Sequence, residues 1–266
     1  SRPYNAMMGR VLTGLRRAAR VTCHTAVVRD ELIARGLLAP ERVIVAPAGT
    51  GPEFSSRADP EADRVAARLT GSAPGSVELV HVGSAIPRKR IDVLLRIVAE
   101  LRAGGEDVRL VRAGGPLTGD QRQLARDLGI DDHMVALDFL DDRTLAAIYR
   151  RAALVLLPSD REGFGFPLVE AMACGTPVVA SDLQVLREVG GSAVEYCAPG
   201  AVSLWRQRIA ELLNQRQRSP DEWHARVDAG LARSSRFQWP QFAARMAQIY
   251  GEVAAEADAR PARSSA

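Results

Sequence analysis

Short apolar runs alternate with amphipathic stretches along most of the chain, which is the pattern of β-strands and α-helices taken in turn. Strands separated by helices pair in parallel, and the helices then cover both faces of the sheet. The pattern therefore predicts an α/β fold with a Rossmann-like parallel sheet. Strands are predicted at 77–83, 108–113, 134–139, 152–157, 178–180 and 193–196, and helices near 91–102, 121–128, 142–151, 167–173, 201–214 and 220–232.

Residues 1–50 show a shorter version of the same alternation. Two strands are too few to bury a sheet of their own, so we expect this part to be the remnant of an incomplete N-terminal domain of a longer protein, with its linker. The predicted elements are a basic helix at 10–20, a strand at 21–28, a helix at 29–35, a strand at 43–46 and a Pro- and Gly-rich linker at 47–53.

The C-terminal part of the chain predicts one more helix, followed by a tail. At 240–257 the apolar residues Phe242, Met246 and Ile249 recur at helical spacing, so this helix is expected to pack on another part of the protein. Residues 258–266 are small and polar, and we expect them to be disordered.

The most informative segment runs from Pro158 to Ser181 and reads PSDREGFGFPLVEAMACGTPVVAS. It follows a predicted strand and contains a glycine-rich loop, a short helix and the next strand. Glycines let backbone N–H groups approach a ligand closely, and a helix N-terminus favours negative charge, so a phosphate ester suits this loop. Glu162 in the loop and Glu170 in the helix are then placed to accept hydrogen bonds from hydroxyl groups of the same ligand.

The basic residues show a strong bias, because the chain contains 35 lysines and arginines and only Lys89 is a lysine. Lys89 follows a predicted strand, and parallel sheets bind ligands beyond the carboxyl ends of their strands. We therefore expect Lys89, Gly114 and Glu162 to converge at one edge of the sheet, where a compact ammonium can pair with phosphate. The alternative is that Lys89 is an ordinary solvated charge.

Composition excludes several classes of protein. The net charge is only +3 and aromatic residues make up 5% of the chain, so no nucleic acid partner is predicted. The four histidines lie far apart in the sequence without metal-ligand spacing, so no metal site is predicted. Three scattered cysteines, with no visible secretory signal and no apolar run of about 18 residues, predict a cytoplasmic protein with reduced thiols.

Glu162 and Glu170, with the seven residues between them, resemble the E-x7-E motif of the large retaining glycosyltransferase family 4, the group 1 glycosyltransferases. The similarity continues through residues 171–179. Because other parts of the family pattern recur in order, the resemblance extends over nearly the whole chain. These parts lie at 80–83, 87–89, 112–115, 183–191, 194–199 and 237–239.

The resemblance implies the GT-B fold, in which two Rossmann-like domains enclose the active site. The chain would then be mostly the C-terminal half, with 51–239 as the nucleotide-sugar donor-binding domain and 240–257 as the helix that crosses back toward the N-terminal domain. It also implies retaining transfer of a hexose from a UDP- or GDP-sugar, with no required metal or other cofactor. The acceptor, whether glycan, lipid or small molecule, stays open.

The resemblance further implies roles for individual residues, with Lys89, Arg88 and Glu162 as the catalytic set. Glu170 would bind the ribose hydroxyls, and Glu162 would contact hydroxyls of the donor sugar. Lys89 would neutralise the leaving diphosphate, which needs cations or helix dipoles when no metal takes part. The arginine that usually follows the strand-end glycine is replaced by Ser84, and Arg88 is its nearest substitute. The remaining donor-binding positions are Gly83, Gly114, Gly163, Phe164, Gly165 and Phe166.

Other interpretations stay open at this point. Taken alone, Glu162 and Glu170 are typical of solvated surface charges. The chain could be a non-catalytic nucleotide-sugar binding module, a half-enzyme that needs a separate acceptor subunit, or a sugar-nucleotide epimerase of similar fold. Arginines at 16, 17 and 20 form either a solvated helix face or a contact with anionic lipid at the inner face of a membrane.

Overall fold

The strands of the protein form two parallel sheets in the computed structural model, which describes residues 2–71 and 76–259. The chain divides into two units, one that runs to Gly49 and resumes at Phe237, and one that spans Thr50–Arg236. In chain order the elements are α1 (Arg2–Arg17), β1 (Val21–Cys23), α2 (Ala26–Ala34), β2 (Val43–Val45), α3 (Pro60–Thr70), β3 (Val77–Val82), α4 (Ile91–Ala103), β4 (Val108–Ala113), α5 (Gly119–Asp127), β5 (Met134–Leu137), α6 (Asp142–Arg151), β6 (Leu154–Leu157), α7 (Phe166–Ala173), β7 (Val178–Ser181), α8 (Gln184–Gly190), β8 (Glu195–Cys197), α9 (Val202–Arg218), α10 (Pro220–Ser234) and α11 (Trp239–Asp258).

The smaller unit contains the two-stranded sheet of β1 and β2. The predicted strand at 21–28 is wrong beyond Cys23, because the hydroxyl of Thr25 accepts a hydrogen bond from the N–H of Val28 and caps α2. α11 belongs to the same unit and buries Ile249. Asp258 is the last residue of α11, so it is not part of a disordered tail, and residues 260–266 of the predicted tail lie outside the described residues.

The larger unit is built on a six-stranded sheet in the order β5-β4-β3-β6-β7-β8. Every neighbouring pair of strands is parallel, which confirms the predicted fold class. The chain adds strands outward from β3 through β5, and then returns to the centre at β6 and proceeds in the other direction. The carboxyl ends of β3 and β6 therefore flank the topological switch point, where open α/β sheets bind their ligands.

Apolar side chains cover the two faces of this sheet. On one face Leu79, Leu110 and Leu154 form a buried cluster with Ile97 of α4 and Trp205 of α9. Helices α6 and α7 contact the sheet as well, and their apolar residues are buried. α3, which the sequence analysis did not predict, packs on α6. This packing fixes the loops that follow the strands at the carboxyl edge.

All three cysteines are buried as free thiols, as predicted. Burial raises the pKa of Cys174 to about 12, so this thiol stays protonated near neutral pH.

Candidate active site

The turn after β3 is held in a fixed conformation by the loop after β6. Pro87–Lys89 form one 3₁₀ turn that ends at Arg90, which has φ 49. A non-glycine residue in the left-handed region costs of the order of 1 kcal/mol or more, so its surroundings must hold it there. The Arg90 guanidinium donates to Asp92 and Asp160, and the backbone N–H of Asp160 donates to the carbonyl of Arg88 at 2.9 Å. These bonds raise the pKa of Arg90 further above its ordinary value, with the Asp92 bond as the largest cause.

Three of the predicted residues meet at this point. The Lys89 ammonium donates to Glu162 Oε1 at 2.6 Å, and Arg88 donates to Glu162 Oε2 at 3.0 Å. Ser159 also donates to Glu162 Oε1, at 2.8 Å. Glu162 and Lys89 are well buried, with side chains only 6% and 9% exposed. The structure therefore does not support Glu162 or Lys89 as solvated surface charges.

Two glycine turns lie directly against this cluster. A Cβ placed on Gly114 would come within 2.5 Å of the carbonyl oxygen of Gly83, so only glycine permits this approach of the β3 and β4 ends. On the other side, a Cβ on Gly83 would contact Cε of Lys89 at 3.3 Å. Ser84 is half-buried in the loop that follows Gly83. Gly83, Gly114 and Lys89 thus lie together at the carboxyl edge of the sheet, and Lys89 also contacts Glu162 there.

The glycine-rich loop after β6 leads directly into α7. Gly165 has φ 94, and its carbonyl accepts the N–H of Leu168 in the first turn of the helix. Phe164 is buried and Phe166 is 38% exposed, and their rings meet edge to face with centroids 5.1 Å apart. Gly163 is exposed and has open space where a side chain would lie. The loop is therefore open at Gly163, whereas Gly165 is buried directly before α7.

The second glutamate of the motif has a different partner. Glu170 lies in α7, and the hydroxyl of Tyr149 in α6 donates to its Oε2 at 2.8 Å. Burial raises the pKa of Glu170 to about 7, although the Tyr149 hydrogen bond acts in the opposite direction. Tyr149 is fully buried, and its backbone carbonyl accepts a hydrogen bond from Thr176. The sequence analysis missed Tyr149, because a tyrosine on the apolar face of a helix is typical of an ordinary core residue.

Within residues 2–71 and 76–259, no group of three or more histidine, cysteine, aspartate or glutamate side chains is arranged to hold a metal ion. No helix in the same part of the chain has the length and apolar character needed to cross a membrane.

The amino-acid sequence is similar to known glycosyltransferases. The profile of the family described as "Glycosyl transferases group 1" matches residues 69–227. The D-inositol 3-phosphate glycosyltransferase of Salinispora tropica is 34% identical over 260 residues, which cover 90% of this chain and 52% of that protein. The protein of the same name from Segniliparus rotundus is 32% identical over 230 residues, with 83% of this chain and 49% of that protein covered.

Solved structures share the fold. Sucrose-phosphate synthase of Thermosynechococcus elongatus has a TM-score of 0.77 at 22% identity, covering 92% of this chain and 61% of that one. HepE of Anabaena in complex with UDP-glucose has a TM-score of 0.76 at 21% identity, covering 91% of this chain and 68% of that one. These likenesses are to GT-B proteins.

The chain spans about half the length of the curated relatives it matches. The family profile nevertheless covers more than half of the chain, including β3, the Lys89 turn and the whole glutamate motif. The chain belongs to the group 1 glycosyltransferases.

Proposed function

We propose that this chain is the donor-binding part of a retaining hexosyltransferase that uses a nucleoside diphosphate sugar. The observation that carries the proposal is the buried contact between Lys89 and Glu162 at the switch point of the sheet. A parallel sheet offers its ligand site at that position, and the pair places a cation for phosphate beside a carboxylate for sugar hydroxyls.

Lys89 is suited to the leaving diphosphate because its ammonium has three N–H donors and one is directed to Glu162. The remaining two can reach phosphate oxygens without breaking that contact. Arg88 donates to the other oxygen of Glu162, Oε2, and would act as a second cation near the diphosphate. Cations fixed in this way stabilise the charge that develops on the leaving group, so we propose that no metal is required.

Glu162 and Glu170 would recognise different hydroxyl groups of the donor. Glu162 lies in contact with Lys89 and Arg88, and its carboxylate would accept hydrogen bonds from the sugar. Glu170 would accept hydrogen bonds from the ribose hydroxyls, since the Tyr149 hydroxyl contacts one of its two carboxylate oxygens, Oε2. The backbone of Gly163, Phe164, Gly165 and Phe166, with that of Gly83, Ser84 and Gly114, would line the rest of the donor.

We further propose that residues 51–239 form the donor-binding domain, with 1–50 and the helix at 240–257 belonging to the acceptor side of a longer protein. The relatives are named for D-inositol 3-phosphate, so this compound is the first acceptor to test. HepE was solved with UDP-glucose, so UDP-glucose is the first donor to test. Retention is proposed from the resemblance of the 162–170 motif.

Calorimetric titration of the purified chain with UDP, GDP and ADP tests the donor proposal. We expect one nucleotide to bind, and the variant Glu170→Ala to bind it about ten- to a hundredfold more weakly because hydrogen bonds to a carboxylate are lost. Failure of all three nucleotides to bind, both to this chain and to a longer protein that contains it, would contradict the proposal.

Transfer itself is tested with UDP-glucose and D-inositol 3-phosphate, using nuclear magnetic resonance to assign the anomeric configuration of the product. An α-linked product from the α-linked donor supports retention, and a β-linked product contradicts it. Conversion of the donor to an epimer without any acceptor would favour the epimerase alternative instead.

A further inference from the structure

A polar layer closes one face of the six-stranded sheet at its carboxyl edge. Leu79 of β3 and Leu110 of β4 are partners in register, and two residues further along the partners are His81 and Arg112. Side chains alternate between the faces of a sheet, so all four lie on the same face. His81 is 1% exposed and Arg112 is 0% exposed, so the apolar layer is followed by a buried histidine and a buried arginine.

Arg112 contacts both glycine turns of the candidate site. Its Nη2 donates to the carbonyl of Gly83 at 2.8 Å, and its Nη1 donates to the carbonyl of Gly115. The guanidinium therefore links the end of β3 to the turn after β4. These two carbonyls satisfy N–H groups of the guanidinium, but as neutral groups they do not balance its charge.

A positive charge without an ion-pair partner is unusual for a residue as deeply buried as Arg112. Among the residues that the structure describes, no carboxylate forms an ion pair with it, whereas arginines at such depth are almost always paired. Lys89 and Arg88 share the single carboxylate of Glu162 on the other side of Gly83. A buried cation without a counter-charge favours the arrival of an anion nearby.

His81 does not compensate this charge. Burial is the main cause that lowers the pKa of His81 to about 3, and the positive charges of Arg112 and Lys89 lower it further. The imidazole is therefore neutral near pH 7, and among the described residues neither of its nitrogens has a hydrogen-bond partner. Arg112 and Lys89 both lie against Gly83, so their charges act on the same part of the site.

We propose that Arg112 is a positioning residue of the anion site, which fixes the two glycine turns and supplies an uncompensated positive charge behind them. The ligand class is an anion with two linked phosphate groups, and Arg112 acts on it through the Gly83 and Gly115 turns rather than by touching it. The inference rests on the proposed function where the anion is the diphosphate of a nucleotide sugar. The anion site itself can be tested without a nucleotide.

The test is calorimetric titration of the whole chain with inorganic pyrophosphate, UDP and uridine, with GDP and guanosine run in parallel. Arg112→Gln keeps a planar side chain with one NH₂ donor group but removes the charge. Arg112→Lys keeps the charge but loses the planar guanidinium, whose two Nη groups donate to the two carbonyls. Arg109→Gln serves as the matched control, because it makes the same charge change on the same strand at the opposite end of the β3–β4 register.

We expect Arg112→Gln to weaken pyrophosphate and UDP about tenfold or more, the size expected for one unit charge near an anion inside a protein, and to leave uridine unchanged. Arg112→Lys should weaken pyrophosphate about threefold and leave uridine unchanged, because it keeps the charge but loses the guanidinium that links the two turns. The control should bind all three ligands normally. Equal weakening of pyrophosphate and uridine by Arg112→Gln would show a merely structural role and overturn the proposal, as would unchanged pyrophosphate binding.

Circular dichroism and thermal unfolding check that each variant is folded. If Arg112→Gln does not fold, Arg112→Lys decides: weaker binding of pyrophosphate with unchanged uridine affinity supports the proposal, and unchanged affinity for both overturns it. If the wild-type chain binds pyrophosphate through Arg112 but no nucleoside or nucleotide, the proposed function fails while this inference stands. If nucleotides bind but pyrophosphate binding does not depend on Arg112, the inference fails while the proposed function stands. If no ligand binds, the inference and the proposed function both fail.

Discussion

The two glutamates of the 162–170 motif differ in almost every physical respect. Glu162 lies in a loop between an ammonium and a guanidinium, with a serine hydroxyl as a third donor. Glu170 lies on a helix and accepts a hydrogen bond from the neutral hydroxyl of Tyr149. The first carboxylate therefore has two cations as partners. The second has a pKa raised to about 7 by burial, so it changes charge in the physiological range.

This difference shows that one sequence motif can place two identical side chains in opposite electrostatic roles. Glu162 pairs with Lys89 and Arg88, and in the proposed function it would hold these two cations in position until the diphosphate binds. The charge of Glu170 is costly because its carboxylate is buried, and in the proposed function the ribose hydroxyls would offset this cost. A nucleotide sugar carries both a diphosphate and a ribose, and the two environments match those two parts.

The largest effect is expected for Lys89, which pairs with Glu162. Lys89→Met should weaken binding of pyrophosphate and UDP by about 2–3 kcal/mol, because a charged hydrogen bond is lost and Glu162 keeps a buried charge. Calorimetric titration measures this effect, and uridine binding should not change. Lys89→Arg is the matched control, since it keeps the charge beside Glu162. If uridine affinity falls as much as UDP affinity, the role of Lys89 in binding the diphosphate is wrong.

Opposite signs are expected when each carboxylate is neutralised in turn. At pH 8, Glu162→Gln should lower the free energy of unfolding by about 1.5–2 kcal/mol, because Lys89 loses its counter-charge. Glu170→Gln should raise it by up to about 1 kcal/mol, because a half-buried carboxylate no longer has to be charged. Urea denaturation of the two variants compares them directly. If both changes destabilise the protein equally, the contrast between the two environments is wrong.

A pH dependence sharpens the same contrast. The pKa of Glu170 is raised from 4.5 to about 7 on folding, so the protonated carboxyl stabilises the fold below about pH 4.5. This contribution is lost as the pH rises through about 7. The difference in unfolding free energy between the wild-type protein and Glu170→Gln should change by about 1 kcal/mol between pH 5 and 8, a value reduced because solvent screens part of the effect. Denaturation at several pH values checks this, and a constant difference would contradict it.

Nucleoside affinity should depend on the charge of Glu170 in the opposite direction, and should increase as this carboxyl group loses its proton. Ribose hydroxyls donate hydrogen bonds to the charged carboxylate, so uridine or guanosine affinity should rise from pH 6 to 8 in the wild-type chain. Glu170→Gln should remove this rise.

The sheet could be predicted from sequence because each strand is a short apolar run bounded by glycines or polar residues. Residues 108–113 and 142–151 were predicted with the boundaries that the structure has. The strand predicted at 21–28 was too long, because the β-branched residues of that run favour a strand until Thr25 caps α2. α3 was missed because it follows a Pro- and Gly-rich stretch that is typical of a linker.

The site could be predicted only for charged residues that follow predicted strands. Lys89 and Glu162 follow strands that meet at the switch point, so topology alone brings them together. Arg112 could have been noticed, since an arginine at the end of an otherwise apolar strand needs an explanation. Tyr149 offered no such signal, because its contact with Glu170 depends on how α6 packs on α7.

The smallest effect is expected from Tyr149→Phe, which removes the hydroxyl but keeps the buried ring. The hydrogen bond from Tyr149 lowers the pKa of Glu170, so its loss should move that pKa further upward, with at most about 1 kcal/mol lost from the free energy of unfolding. The rise of nucleoside affinity with pH should then shift to higher pH, while pyrophosphate binding at the Lys89 end should not change. Tyr196→Phe is the matched control, since that hydroxyl donates to backbone carbonyls away from both glutamates. If Tyr149→Phe leaves the pH profile of nucleoside binding where it was, Glu170 does not depend on Tyr149, and burial alone sets its behaviour.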